Sequence, residues 1–353
     1  MKVLGIETSC DESAAAVIED GHRLLSNAVA SSMDLHAKYG GVIPEIAARS
    51  HIEAILPVIQ QALDDAQCTW DDIDAIAVTY GAGLGGSLLV GVLTARTLAI
   101  AHDKPLYAIN HVAAHIYANF LTSTSLPGLV MRQSQPSFPM LAIIVSGGHS
   151  QLVLFRDHFD YTLLGQTQDD AIGEAFDKVA KIIGLPYPGG PNVEKIAQLG
   201  DAYAFKLPKA KMAEKYDFSF SGLKTAVLRL AQAQIGEDYT FPSTKLPERL
   251  SEAQKANIAA SFSRTAVETM VDKVLLAIEE FSPTSVVIAG GVAASGELRK
   301  QLTSKLPLPI EFPDFKLCTD NGAMIATLGY FKASLGQPAA NPYTLDIEPN
   351  LSM

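Results

Sequence analysis

Three short runs rich in Val, Ile and Leu, each ended by small or polar residues and resumed by a further element, constrain this chain more than any other feature. Residues 3–7 are followed by the polar bend 8–13 and the run 14–18, and residues 141–145 by Ser146-Gly147-Gly148-His149 and the run 151–155. Both read as hairpins. The third run, 285–289, ends in Gly290-Gly291, and a helix is predicted from about Ala294 through Leu302. Glycine amides at such turns let a phosphate approach the backbone closely. A single Gly-Gly is ordinarily only a turn, but a turned hairpin opening each half of the chain predicts two lobes of similar plan.

A fourth cluster, Gly81-Ala82-Gly83-Leu84-Gly85-Gly86, follows a strand-like 75–79 and precedes a predicted helix from Ser87. It has the dinucleotide-binding spelling, which also requires an acidic residue ending the next strand. That strand, 106–109, ends in Asn110, and Asp103 precedes it, so a nicotinamide cofactor is not expected. Helical periodicity covers 50–65 and 251–281. The stretch 122–139, rich in Ser, Thr, Pro and Gln, reads as a surface excursion at a lobe boundary, and 236–248 as a second loop.

His111 and His115 lie four residues apart, a spacing that puts two imidazoles on one helical face where they can share a metal ion. Asp320, at the start of the last helical run, is the best third ligand, giving a two-histidine, one-carboxylate site. The alternative is a helix cap and a surface histidine. A zinc-protease helix is excluded, because Val112 stands where the general-base Glu must follow the first His.

The chain has 353 residues and is 48% hydrophobic, enough for two cores. No apolar stretch reaches the length of a membrane helix, the N-terminus turns acidic too early for a secretory signal, and three cysteines without Cys-x-x-Cys pairing suit a reducing cytoplasm. A net charge of -11 disfavours general nucleic-acid binding. Lys206, Lys209, Lys211 and Lys215 could still form a local basic patch or simply a solvated helix face.

Seven ordered motifs resemble the TsaD family of tRNA threonylcarbamoyl-adenosine transferases, once taken for glycoproteases. They are Gly5-Ile6-Glu7-Thr8-Ser9-Cys10-Asp11-Glu12, His111-Val112-Ala113-Ala114-His115, Val145-Ser146-Gly147-Gly148-His149, Gly173-Glu174-Ala175-Phe176-Asp177-Lys178, Tyr187-Pro188-Gly189-Gly190-Pro191, Phe218-Ser219-Phe220-Ser221-Gly222-Leu223-Lys224 and Cys318-Thr319-Asp320-Asn321. The resemblance implies the two-lobed α/β fold of actin, sugar kinases and heat-shock ATPases, with a nucleotide cleft, residues 1–121 plus 320–353 forming one lobe and 122–319 the other. It implies nucleotide contacts from Ile144, Val145, Ser146, Gly147 and Gly148, with Asp177, Gly190 and Glu194 on the ribose and base side. Ser295 departs from the family's usual Asn and would reach the nucleotide through water.

The implied metal ligands are His111, His115 and Asp320, holding one divalent ion, Fe²⁺ favoured and Zn²⁺ possible. The implied reaction carries the threonylcarbamoyl group of threonylcarbamoyl-AMP to the exocyclic amine of the tRNA adenosine adjoining the anticodon. Asp11 and Glu12 are the candidates for assisting that amine, against the alternative of a solvated turn. Cys10 beside them has no basic partner in sequence and reads as packing. A degenerate paralogous subunit (TsaB type) and a small ATPase (TsaE type) are implied partners. An alternative within the same fold is a nucleotide-hydrolysing or sugar-phosphorylating enzyme, which would rely on Mg²⁺ and carboxylates and have no use for paired histidines. A non-catalytic scaffold would be expected to lose the metal trio, which is intact here.

Overall fold

The computed structural model describes residues 1–37, 39 and 41–353. They form two compact units, Met1–Pro136 with Glu311–Met353, and Ser137–Ile310. The excursion 122–136 and the segment 311–319, assigned above to the second lobe, pack with the first unit. Arg132 accounts for this, because its guanidinium is buried and donates to the Asn119 side chain at 3.2 Å and to the Glu311 carbonyl at 2.7 Å.

The first unit is built on a six-stranded sheet of order β5-β4-β1-β2-β3-β6. Its strands are β1 (Lys2–Glu7), β2 (Glu12–Glu19), β3 (Arg23–Ser31), β4 (Ala75–Gly81), β5 (Leu106–Asn110) and the short β6 (Ser123–Thr124). The chain from β1 through β3 is an antiparallel meander, and β4 and β5 add in parallel on the other side of β1. The second unit has β7 (Met140–Val145), β8 (Ser150–Asp157), β9 (Asp160–Gln166) and β10 (Ser285–Ala289), in the order β10-β7-β8-β9. It repeats the first plan, with two antiparallel hairpins and then a parallel neighbour beside the opening strand. Both hairpins predicted from sequence are present; the second turns at 146–149 as predicted, whereas the first turns over 8–11, because Glu12 and Ser13 already belong to β2.

Side chains alternate across β1, so the two faces of the sheet carry different helices. Leu4 and Ile6 join a core with Ile55, Val58 and Ile59 of the helix Pro44–Asp65 and Val92 of the helix Gly85–Ala101. Gly5 faces the opposite way, onto the helix Gly322–Ser334, where a Cβ would strike the Gly322 carbonyl and the Ala326 amide. Gly322 in turn sits on the backbone of Ala15 and Ala16 in β2. These missing side chains set the last helix down flat on the sheet and bring the segment just before it, with Asp320, to the ends of β1 and β2. In the second unit β7 is buried throughout, and Phe176 and Phe262 meet edge to face at 4.8 Å between the helices Ile172–Ile183 and Glu252–Phe281.

The glycine cluster at 81–86 serves packing. Gly83 lies against Ser9, and its amide donates to the Pro349 carbonyl at 3.0 Å, while Gly81 lies against Glu348 and Leu351. The C-terminal segment covers this turn. Arg96 holds that segment by donating to the carbonyls of Pro342, Tyr343 and Leu345. A pyrophosphate would have to displace the chain's own backbone, in line with the absence of an acidic ribose-binding residue. Among the described residues no helix is long and apolar enough to cross a membrane.

Candidate metal centre and nucleotide cradle

His111 and His115 stand on the helix His111–Tyr117, which starts directly from β5 and is capped by the Asn110 side chain accepting from the Ala113 amide at 3.0 Å. One turn of helix separates the rings, whose centroids are 4.8 Å apart in an edge-to-face arrangement. Both Nε2 atoms face Asp320 Oδ1, His115 at 3.2 Å and His111 at 3.6 Å. The three ligand atoms all lie within 4.8 Å of one another. Asp320 is placed by its neighbour Asn321, which caps the last helix by accepting from the Met324 amide at 3.1 Å. Two imidazoles and a carboxylate on one face suit a divalent transition metal with open positions. The residues fit such an ion. His115 Nδ1 is buried with no hydrogen-bond partner among the described residues, so Nε2 is the nitrogen its surroundings engage.

Three residues that sequence reasoning passed over complete this centre. Glu7, the last residue of β1, is fully buried, with Oε2 3.2 Å from His111 Nδ1. It accepts from the Ser9 amide and from the Thr79 hydroxyl, each at 2.5 Å. Ser9 Oγ also lies 3.1 Å from His111 Nδ1. A charged residue closing an otherwise apolar strand was the available signal, masked by the polar bend that follows.

Charge organises the centre. Burial pushes the Asp320 carboxyl up, but His111 and His115 outweigh it and hold it at about 2. Burial pulls His111 down, yet the carboxylates of Asp320 and Glu7 outweigh it and push it up to about 9. Burial likewise raises Glu7, and the His111 charge outweighs that and keeps it below the usual carboxylate range.

The 8–13 bend reaches the same neighbourhood, since the charge of Asp320 acts on both Cys10 and Glu12. Glu12 is pushed up to about 9 by burial, by its hydrogen bond with Asp11 and by the charges of Asp320 and Asp11, against a 3.2 Å hydrogen bond from Ser31. The pair therefore carries a proton on Glu12 near neutral pH, as close carboxylates do. His51 secures the bend, its Nε2 3.0 Å from the Cys10 carbonyl and its Nδ1 2.7 Å from Ser13 Oγ. The Cys10 thiol is pushed strongly up by burial and by Asp11, the opposite of an activated nucleophile.

The second unit holds the other group of expected residues. Ile144 and Val145 are core side chains of β7, so only their backbone can meet a ligand. Ser146 Oγ accepts from the His149 amide at 3.0 Å, closing the turn, and Gly147 and Gly148 have open space around them. Gly173 abuts the Ser146 carbonyl so closely that any side chain there would push the turn away. Asp177 Oδ1 accepts from the Gly189 amide at 2.7 Å, next to the unobstructed Gly190, and burial raises its carboxyl. Ser295 caps the helix Gly296–Lys305 and donates to Glu194 Oε1 at 2.6 Å, while Glu194 also accepts from the Glu297 amide at 3.1 Å. The Ser295 hydroxyl is committed to Glu194, to which it donates, and to the Leu298 amide, from which it accepts at 3.3 Å.

The lysine cluster is not a helix face, because residues 206–215 are irregular. Lys209 pairs with Glu268 at 3.1 Å and Asp272 at 2.7 Å, and Lys215 with Glu280. Half of the cluster's charge is thus neutralised by acids of the helix Glu252–Phe281.

The sequence pattern of the family described as "TsaD: tRNA N6-adenosine threonylcarbamoyltransferase" matches residues 23–327. A protein of that name from Thermomicrobium roseum is 48% identical over 360 aligned residues, spanning 100% of this chain and 97% of the relative. One from Symbiobacterium thermophilum is 50% identical, spanning 93% of this chain and 91% of the relative. The chain belongs to the TsaD family. Among solved structures, full-length HypF in its phosphate- and nucleotide-bound form is similar in fold, with a TM-score of 0.57 at 14% identity over 96% of this chain and 56% of that one. The TsaD chain thus has the α/β architecture of the actin-like ATPase class, as the duplicated sheet plan indicates. Its family membership makes it a transferase, and His111, His115 and Asp320 form a cluster that could hold a metal ion.

Proposed function

We propose that this chain transfers the threonylcarbamoyl group of threonylcarbamoyl-AMP to the exocyclic N6 amine of the tRNA adenosine adjoining the anticodon. The observation that carries this reading is the cluster of His111, His115 and Asp320, in a chain related over its whole length to enzymes of that name. In the reaction the N6 lone pair forms a bond to the carbamoyl carbon. The bond from that carbon to the phosphate oxygen breaks, AMP leaves with the electron pair, and one N6 proton must be taken up.

An exocyclic adenine amine is a weak nucleophile, so orientation and proton removal carry much of the burden. Asp11 accepts the N6 proton, and Glu12, already protonated, donates to Asp11 and orients it. His111, His115 and Asp320 would hold a divalent ion, which when bound would supply Lewis-acid polarisation of a substrate oxygen, with Fe²⁺ favoured by the two-histidine, one-carboxylate set and Zn²⁺ also compatible. In the second unit the amides of Gly147 and Gly148 receive the adenylate phosphate, with Asp177, Gly190 and Glu194 on its ribose and base side. Ser295 acts there through Glu194, steadying it.

The partners fit the same reading. Ile52 and Leu56 of the helix Pro44–Asp65 and Leu89 and Leu93 of the helix Gly85–Ala101 are exposed apolar residues on two helices that pack together. That face is the surface for a degenerate paralogous subunit, with a small ATPase completing a cytoplasmic assembly. The test is incubation of the full chain, with and without those partners, with threonylcarbamoyl-AMP and unmodified tRNA, followed by nucleoside analysis. The reading expects modified adenosine and one AMP per transfer. AMP release without tRNA modification in the complete assembly contradicts it.

A further inference from the structure

We infer that Glu7 is the positioning residue that fixes the tautomer of His111 and so aims a bare Nε2 at the metal position. The inference rests on the proposed metal centre for its purpose, but its geometry and its test are independent of transfer.

A neutral imidazole carries its proton on one nitrogen, and only the other can bind a metal. His111 Nδ1 meets two groups, Glu7 Oε2 at 3.2 Å and Ser9 Oγ at 3.1 Å. The hydroxyl can donate or accept, so it leaves the tautomer open. A carboxylate can only accept, so the proton must sit on Nδ1 and the lone pair on Nε2, the atom that faces Asp320. Glu7 is itself held on both oxygens, by the Ser9 amide on Oε1 and the Thr79 hydroxyl on Oε2. Its oxygens are thus fixed from the bend after β1 and from β4 before any ligand arrives. Carboxylate–histidine–metal arrangements of this kind orient the ring and raise its basicity.

The contact could instead be a buried ion pair that merely ties β1 to the histidine helix. The Glu7→Gln substitution separates the two roles because of the Ser9 amide. That N–H can only donate, so the amide oxygen of a glutamine must take the Oε1 position and its NH₂ must take the Oε2 position. There it donates to His111 Nδ1. The imidazole proton is then forced onto Nε2, blocking the metal-binding nitrogen while shape and packing are preserved.

The experiment measures zinc affinity by chelator competition on the full chain, with a thermal melt to verify folding and nitrogen-15 spectra of the histidines in the zinc-loaded protein. Glu7→Gln is expected to weaken zinc binding by roughly 10–100-fold, the range for loss of an outer-shell partner. Ser9→Ala, which keeps the backbone amide and removes the hydroxyl, is expected to bind zinc within about threefold of the parent. The loaded parent protein should show His111 protonated on Nδ1. A folded Glu7→Gln protein with parental zinc affinity overturns the inference. So does an equal loss in Ser9→Ala, which would give the tautomer to the hydroxyl. Either failure leaves the transfer reaction to be judged by nucleoside analysis alone.

Discussion

His115 Nε2 lies 3.2 Å from Asp320 Oδ1, which links a helix beginning at residue 111 to the segment that opens the last helix of the chain. Neither residue is in the hydrophobic core, so this relationship concerns chemistry more than stability. Asp320→Ala should therefore lower zinc affinity by more than about 100-fold, and near neutral pH it should also lower the midpoint of the metal-free protein modestly, because the Asp320 charge is a main cause of the raised His111 value. Chelator competition and a melt of the metal-free variant check both parts.

The carboxylate pair makes a directional prediction. Because Glu12 holds its proton, with its carboxyl at about 9, the neutral isostere Glu12→Gln should retain transfer within about tenfold. Asp11→Asn removes the proton acceptor and should lower kcat by roughly 10²–10⁴-fold. Single-turnover transfer rates distinguish the two, and the reverse ranking would exchange the roles of the residues.

The pH dependence follows from His111. Its folded-state value of about 9 exceeds the ordinary histidine value, so its protonated form stabilises the metal-free fold fully below about pH 6.5. That contribution is lost as pH rises through about 9. Glu12, also raised, acts in the same direction between its ordinary value and about 9. A metal must displace the His111 proton, so zinc affinity should climb about tenfold per pH unit between pH 6.5 and 9 while the metal-free melting temperature falls. Chelator competition and thermal melts across that range measure the opposed slopes.

Much of this was legible in the chain. The apolar runs and small-residue bends announced the duplicated hairpins, since strand period and turn chemistry are local properties. The histidine pair was legible because a four-residue spacing fixes geometry on any helix, and the structure brings Asp320, expected from its place before the last helix, up to both rings. Glu7 was not, because a carboxylate next to a polar bend looks solvated until Thr79 and His111 fold over it. The sequence hides the pairing of Lys209 and Lys215, because their acidic partners lie on a helix distant in the chain. Arg132 hid the lobe boundary in the same way, its partners Asn119 and Glu311 being far apart in sequence.

Packing gives a fourth prediction. A Cβ at Gly5 would strike the backbone of Gly322 and Ala326, which cannot yield as a side chain would. Gly5→Ala should destabilise the fold by about 1–3 kcal/mol, and it should weaken zinc binding as well, because Asp320 lies in the segment that leads directly into the same helix. Urea unfolding read beside chelator competition tests the linkage. Destabilisation with unchanged metal affinity would separate the helix seat from the metal centre.

The most direct test of the central claim is a metal titration of the transfer reaction itself. Metal-free protein, supplied with threonylcarbamoyl-AMP, unmodified tRNA and its partners, should form no modified adenosine until Fe²⁺ or Zn²⁺ is added, and should reach full transfer at one ion per chain. Full transfer by rigorously metal-free protein, or by His111→Ala, would contradict the account.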